Sequence, residues 1–231
     1  MLDFQGYGWV FWEGTRVTLL VGLASLPVAL IMGLLGAWGK LSGSIVLRSL
    51  AGAYTTVVRG VPELVLITLV YYGLTIILQD AASWILGSRQ QIDLNPFITG
   101  TIALGGIYGA FATEVFRGAF LAVDRGQIEA AQAYGMSRAL AFRRIVLPQM
   151  WRFALPGLGN LWLVLLKATA LVSTIQLPEL MRMSAIAVGS TREPFTFYFT
   201  ASLIYLAITA VSLLAIRTAE RGAQRGVTRR L

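Results

Sequence analysis

The sequence contains no cysteine and no histidine among its 231 residues. Without cysteine there are no disulfide bonds, and without either residue there is no metal site of the cysteine–histidine type. A cysteine nucleophile and a histidine general base are excluded for the same reason. Charged residues are also scarce at 13% of the chain, about half of the share that a soluble domain carries. These absences argue against a soluble enzyme.

Hydrophobic residues, in contrast, make up 56% of the chain and are concentrated in long windows. A helix that crosses the hydrocarbon core of a bilayer needs roughly 20 mostly apolar residues. Five windows meet this requirement, and the segments between them are too short to fold as separate domains. We predict an all-α integral membrane protein in which residues 1–231 form one domain. The five predicted spans cover residues 17–38, 54–78, 97–123, 153–175 and 195–216.

The basic residues predict the orientation of these helices, because cytoplasmic segments of membrane proteins are enriched in lysine and arginine. With the N-terminus outside the cell, thirteen basic residues fall on the cytoplasmic side and four on the outer side. The cytoplasmic set is Lys40, Arg48, Arg59, Arg125, Arg138, Arg143, Arg144, Arg152, Arg217, Arg221, Arg225, Arg229 and Arg230. The outer set is Arg16, Arg89, Arg182 and Arg192. The net charge of +8 thus reflects membrane topology, and no nucleic-acid partner is predicted.

One segment between two spans, residues 124–149, is charged and contains the run "EAAQAYGMSRALAFRRIVLPQ". Its alanines favour helix, Gly135 permits a turn, and Pro148 marks the start of the next span. We predict a helix–turn–helix at the cytoplasmic face that offers Tyr134, Met136 and Leu140 to a partner. An alternative from composition alone is an amphipathic helix held on acidic membrane lipid by its arginines.

The order of residues in this segment resembles the EAA signature of ATP-binding-cassette importer permeases. Glu129-Ala130-Ala131 is followed by three residues, Gly135, nine further residues and Ile145-x-Leu147-Pro148. In that family the segment is a coupling helix that docks on the ATPase subunit, which implies the same role here. The coupling residues implied are Glu129, Ala130, Ala131, Tyr134, Gly135, Met136, Arg138, Ile145, Leu147 and Pro148.

Three further runs are similar to permeases of the polar amino-acid importers: "RGVPEL", "YGAFATEVFRGAFLAV" and "LKATALVSTI". The five-span plan resembles the Q-type permease subunit of histidine/lysine/arginine/ornithine importers, and opine permeases look nearly the same. The resemblance implies a type I importer permease fold in a bacterial inner membrane, with a periplasmic N-terminus and a cytoplasmic C-terminus. The implied substrate is a basic amino acid, with an opine or another polar amino acid such as glutamine as the alternative.

The same resemblance implies several partner subunits. These are a homologous second permease (an M-type subunit in a heterodimer), two ATPase subunits that bind ATP and Mg, and a periplasmic solute-binding protein. This chain carries no phosphate-binding loop, because in the run "GLLGAWGKLS" the first glycine that such a loop requires is replaced by Leu34, and Leu41 follows the lysine. We therefore expect no cofactor and no ATPase active site in this chain.

Two charged residues lie deep in the predicted spans, Glu114 and Lys167. A charge near the centre of a bilayer costs about 3 kcal/mol or more, so it normally faces protein or water. The two residues either pair with each other or line a polar path, and Glu114 also lies three residues before Arg117. A proton relay in an ion-driven transporter is a competing interpretation of the same pair.

Four other residues complete the predicted substrate contacts. Glu63 follows the proline of the Arg-Gly-x-Pro run, where an acidic residue resembles the basic amino-acid subgroup; the alternative is a structural pair with Arg59. Tyr71 and Tyr108 are candidates for cation–π contact with a cationic side chain, although packing between helices is the commoner role. Thr169 belongs to a hydroxyl-rich run beside Lys167.

Overall fold

The computed structural model describes residues 4–86 and 91–223, so Arg89, Arg225, Arg229 and Arg230 lie outside the described residues. Helices account for nearly all of these residues, and the described ranges contain no β-strand. The helices are α1 (Trp9–Leu41), α2 (Ile45–Gly60), α3 (Glu63–Thr68), α4 (Leu74–Leu86), α5 (Pro96–Leu121), α6 (Arg125–Ala133), α7 (Arg138–Ala141), α8 (Leu147–Ala168), α9 (Leu180–Thr191) and α10 (Pro194–Ala223).

Five helical segments in the described ranges are long and apolar enough to cross a membrane, which confirms the predicted number of spans. Short π-helical turns at Leu69–Gly73 and Phe142–Val146 join neighbouring α-helices, and a 3-10 helix at Thr169–Ile175 extends α8. The five segments are Trp9–Leu41, Glu63–Ile85, Pro96–Leu121, Arg138–Ile175 and Pro194–Ala223.

The second span differs from its predicted range of residues 54–78. Val61 is extended and Pro62 precedes α3. Proline has no N–H, and it disfavours helical backbone in the residue before it, so the helix breaks at this point. Residues 54–60 therefore belong to the separate helix α2, and the apolar span begins at Glu63.

The fourth span begins earlier than its predicted start at residue 153. Helix α7 continues into α8 through the π turn Phe142–Val146, so one helical segment runs from Arg138 to Ile175. The π turn ends two residues before Pro148, whose missing N–H and bulky ring strain a regular α-helix. Pro148 thus lies in the first turn of α8 without separating α7 from the span.

Helices α1 and α5 form the most extensive contact in the bundle, and small residues set the distance between them. A Cβ atom on Gly105 would lie 2.4 Å from Val28 Cγ1, and one on Gly109 would lie 2.5 Å from Met32 Cβ. These separations are shorter than any normal carbon–carbon contact, so both positions require glycine. Gly105 and Gly109, four residues apart on one helix face, thus permit the close approach of α5 to α1.

Substitution of Gly109 by alanine is expected to lower the apparent Tm of the purified chain in detergent. The added methyl group overpacks the α1–α5 contact, at a cost of about 1–3 kcal/mol. A Cβ added to Gly118 on the same helix would have no atom within 4 Å, so Gly118→Ala is the matched control and gains helix propensity. Equal Tm values for the two variants would contradict the close packing.

A second group of contacts joins α9 to α1 and α10. Glu179 is fully buried and caps α9, because its carboxylate accepts from the backbone N–H groups of Met181 at 2.9 Å and Arg182 at 2.8 Å. The Tyr205 hydroxyl on α10 donates to the same carboxylate at 3.2 Å. An acidic residue at a helix N-terminus also interacts favourably with the helix dipole.

Stability is expected to depend on pH through Glu179. Burial raises the pKa of this carboxyl from 4.5 to about 7, although its backbone partners act in the opposite direction. A raised pKa means that the folded state binds the proton more tightly than the unfolded state. The resulting stabilisation is complete below about pH 4.5 and is lost as the pH rises through 7.

The measurement is the apparent Tm of wild-type protein and of Glu179→Gln between about pH 5 and pH 8. Wild-type Tm should fall across this interval by more than that of the variant, whose side chain does not titrate. A parallel pH dependence of the two proteins would show that Glu179 is not the titrating group.

Candidate functional site

A pocket of about 320 Å³ lies where the break between α2 and α3 meets α5 and α8. Its wall combines aromatic and aliphatic side chains with a few charged and polar groups, which is the usual composition of a site for a small molecule. The lining residues are Arg59, Glu63, Tyr108, Phe111, Glu114, Val115, Gly157, Asn160, Leu161 and Val164.

Glu63 owes its place in the pocket to the helix break. It is the first residue of α3, and its Oε1 atom accepts a hydrogen bond from the Tyr108 hydroxyl at 3.0 Å. The alternative that Glu63 pairs with Arg59 is wrong, because extended Val61 removes the one-turn relation that such a pair requires. The Arg59 guanidinium instead lies 5.3 Å from the ring centroid of Phe111.

Glu114 is held by two cations. Arg117 Nε donates to Glu114 Oε2 at 3.0 Å, and Lys40 Nζ at the end of α1 contacts Glu114 Oε1. The predicted pair with Arg117 is confirmed, whereas the alternative pair with Lys167 is wrong. Lys40 occupies that role because α1 and α5 run in the same direction, with the end of α1 beside Glu114.

The remaining three predicted contacts lie outside the pocket. Lys167 is exposed on α8, seven residues after Asn160 and therefore on the same helix face. Thr169 is fully buried and donates to the Leu166 carbonyl at 2.7 Å. Tyr71 borders a different cavity, and its hydroxyl donates to the Leu94 carbonyl at 3.4 Å. The structure thus brings Glu63, Tyr108 and Glu114 together and separates the other three from them.

The predicted helix–turn–helix between the third and fourth spans is confirmed. Asp124 caps α6 by accepting from the Gly126 N–H at 2.7 Å, and Ser137 caps α7. Between the two helices Gly135 has a φ of +76°, a left-handed conformation that glycine adopts without strain. Local sequence therefore determines this turn.

One surface of this segment is open. Tyr134 is 89% exposed and Glu129 is also exposed, whereas Ala131 on the opposite side is only 3% exposed. An exposed aromatic side chain beside a charged one is typical of a surface that binds another protein. Met136 is half-buried and Leu140 lies at the edge of the same surface.

The segment is also attached firmly to the membrane helices. Gln149 Nε2 on α8 donates to Gln127 Oε1 on α6 at 2.6 Å. The rings of Phe142 and Phe120, which lies on α5, stack with centroids 6.3 Å apart. Because α5 and α8 both line the pocket, a displacement of the segment acts on two of its walls.

Comparisons with known proteins also indicate a membrane transport subunit. The family model for the binding-protein-dependent transport system inner membrane component matches residues 25–225. The octopine transport system permease protein OccQ of Agrobacterium tumefaciens (strain Ach5) is 46% identical over 227 residues, covering 96% of this chain and 95% of the relative. The histidine/lysine/arginine/ornithine transport system permease protein HisQ of Escherichia coli (strain K12) is 46% identical over 224 residues, with 97% of each chain covered.

Among solved structures, an amino acid ABC transporter crystallised with histidines is similar with a TM-score of 0.80 and 31% identity. The match covers 96% of this chain and 99% of that one. Membership of the family implies ATPase and substrate-binding partner subunits. The chain therefore belongs to the inner-membrane permease components of binding-protein-dependent ABC importers, a membrane transport subunit and not itself an enzyme.

Proposed function

We propose that this chain forms part of the translocation path for basic amino acids across a bacterial inner membrane. The observation that carries this proposal is the carboxylate of Glu63 in the pocket between α3, α5 and α8. A carboxylate favours a guanidinium or ammonium group over a neutral side chain. The names of similar permeases, such as that for histidine, lysine, arginine and ornithine, agree with a cationic substrate.

Within the pocket, we assign the main contact with the substrate cation to Glu63, with Tyr108 orienting the carboxylate through its hydroxyl. Glu114 borders the same space, but its charge is already balanced by Lys40 and Arg117. Its contribution to binding is therefore smaller than that of Glu63.

We assign Lys167 a first contact with the substrate carboxylate on the periplasmic side of the pocket, before the amino acid enters it, because Lys167 is exposed on the helix face that carries Asn160. Tyr71 and Thr169 have less support as substrate contacts, since both hydroxyl groups bond to backbone carbonyls. Their first role is structural.

In the complete transporter, this chain pairs with a homologous M-type permease, and two ATPase subunits bind ATP and Mg. A periplasmic solute-binding protein delivers the substrate. The excess of basic residues on one side supports a periplasmic N-terminus and a cytoplasmic C-terminus. The exposed Glu129 and Tyr134 surface supports docking of residues 124–149 on an ATPase.

The test is ATP-dependent uptake of labelled arginine into proteoliposomes that contain this chain, the second permease and the ATPase, with binding protein supplied. Histidine and lysine are expected to compete as unlabelled substrates, and glutamine is not. Competition by glutamine alone, or no uptake of arginine, would contradict the proposed substrate class.

Opines are the second candidate, favoured by 46% identity to the octopine permease and also to the nopaline permease of Agrobacterium fabrum. Both opines are arginine derivatives that retain its guanidinium group and carry additional carboxylate groups, so Glu63 can bind either kind of substrate. Octopine that competes for uptake more strongly than arginine and histidine would make the opine the preferred substrate.

A further inference from the structure

A second cavity, of about 480 Å³, adjoins the substrate pocket near the end of α1. Arg59 and Glu114 line both spaces, so the two are adjacent. The second cavity is far more basic than the first, and we name it the basic vestibule. Its lining residues are Lys40, Arg48, Gly52, Arg59, Glu114 and Arg117.

The charges of the basic vestibule do not balance. Lys40 and Arg117 share the single carboxylate of Glu114. The Arg48 guanidinium donates to the Ser42 carbonyl at 3.1 Å, and Arg59 lies over an aromatic ring. In the part of the chain that the structure describes, neither Arg48 nor Arg59 has a carboxylate partner. Four cations and one carboxylate leave three positive charges, which attract an anion.

Every amino-acid substrate carries such an anion in its α-carboxylate. Guanidinium groups bind carboxylates through paired hydrogen bonds, whereas they repel the cationic side chain of a basic amino acid. The side chain is attracted in the opposite direction, towards Glu63. The two adjacent spaces therefore prefer groups of opposite charge: the basic vestibule prefers the carboxylate of the amino acid, and the pocket at Glu63 prefers its cationic side chain.

We propose that the basic vestibule is a carboxylate subsite of the path, which orients the amino acid with its carboxylate towards the end of α1 and its cationic group towards Glu63. This proposal rests on the proposed function, because it assumes that an amino acid occupies the pocket. It specifies the orientation of the substrate in that path, and it assigns a role to Arg48, which lies outside the substrate pocket.

Gly52 offers the sharpest test, because it lines the vestibule and has no atom within 4 Å of an added Cβ. Gly52→Glu places a carboxylate among the cations, and Gly52→Gln adds the same bulk without charge. Arg48→Gln is an independent variant that removes one of the cations of the vestibule. Arg221→Gln, at an exposed position of α10, is the control for the general loss of a positive charge.

The measurement is binding of labelled arginine and of argininamide, which lacks the carboxylate, to the nucleotide-free transporter with both permeases and the ATPase. Gly52→Glu and Arg48→Gln are expected to weaken arginine binding by about three- to fivefold, the size of an exposed charge interaction. Argininamide binding should not weaken, and Arg221→Gln should leave both ligands unaffected. The loss of arginine binding in Gly52→Glu should exceed that in Gly52→Gln, which adds the bulk without the charge.

Equal losses for arginine and argininamide, or no loss for either, would overturn the carboxylate subsite. An effect seen in vesicles with phosphatidylglycerol and absent in pure phosphatidylcholine would also overturn it, because the anion would then be a lipid phosphate. Uptake by the wild-type transporter without measurable arginine binding would contradict the carboxylate subsite and leave the proposed function intact. No uptake at all contradicts the proposed function, so the two failures are distinguishable.

Discussion

Replacement of Glu129 by lysine is expected to reduce ATP-driven uptake by at least about tenfold while the chain still folds and inserts in the membrane. Glu129 is exposed on α6 beside Tyr134, so the substitution disturbs no buried contact of this chain. A reversed charge at a docking surface faces like charges on the partner, which costs several kcal/mol of binding free energy. Each 1.4 kcal/mol lowers the affinity for the partner about tenfold.

The experiment measures uptake and ATP hydrolysis in the same proteoliposomes. Loss of uptake with residual hydrolysis is the result expected when the ATPase no longer moves the permease. Glu220→Lys is the control, since it reverses a charge on α10 outside the coupling segment. Normal uptake by Glu129→Lys would contradict the coupling role of residues 124–149.

The large expected effect follows from how force reaches the pocket. The helical segment from Arg138 to Ile175 contains both the second half of the coupling segment and the pocket residues Gly157 and Asn160. No flexible loop separates them, and the Gln149–Gln127 bond ties α6 to the same segment. A displacement of α6 therefore moves the wall of the pocket.

Local sequence was sufficient to predict the helix–turn–helix of residues 124–149 and the number of spans. Asp124 and Ser137 are residues that commonly cap helices, and Gly135 fits a left-handed turn. The apolar windows were similarly clear. Boundaries were less predictable, because apolarity does not show that Pro62 splits one window or that a π turn joins α7 to α8.

The partners of the charges inside the spans were not predictable from one sequence. Lys40 and Glu114 are 74 residues apart, and their pairing depends on the register of α1 against α5. That register is fixed by close glycine contacts such as Gly109 with Met32. The sequence contains the glycines but does not state which residue of α1 each one meets. The contact between Glu63 and Tyr108 depends on the same tertiary arrangement together with the helix break.

The competing interpretation of Glu114 and Lys167 as a proton relay loses its structural basis for the same reason. The two groups do not pair, because Glu114 is engaged by Lys40 and Arg117. Lys167 is exposed on another helix. A relay needs donor and acceptor within hydrogen-bond reach, directly or through water, and family membership supplies ATP as the energy source instead.

Substitution of Glu63 by glutamine is expected to lower arginine uptake at limiting concentration by about ten- to a hundredfold. The glutamine carbonyl still accepts from the Tyr108 hydroxyl, so the pocket keeps its shape while the charge is lost. A hydrogen bond to a charged group contributes roughly 1.5–3 kcal/mol, which corresponds to that range.

Histidine supplies the matched control, because at about pH 8 its side chain is mostly neutral whereas arginine remains charged. Glu63→Gln should therefore impair arginine uptake much more than histidine uptake at that pH, and the difference should narrow towards pH 6 as histidine gains its proton. Equal impairment at every pH would mean that Glu63 supports the pocket through Tyr108 alone. In that case Tyr108→Phe should reproduce the defect, whereas a direct contact with the cation predicts that Tyr108→Phe retains the preference for arginine.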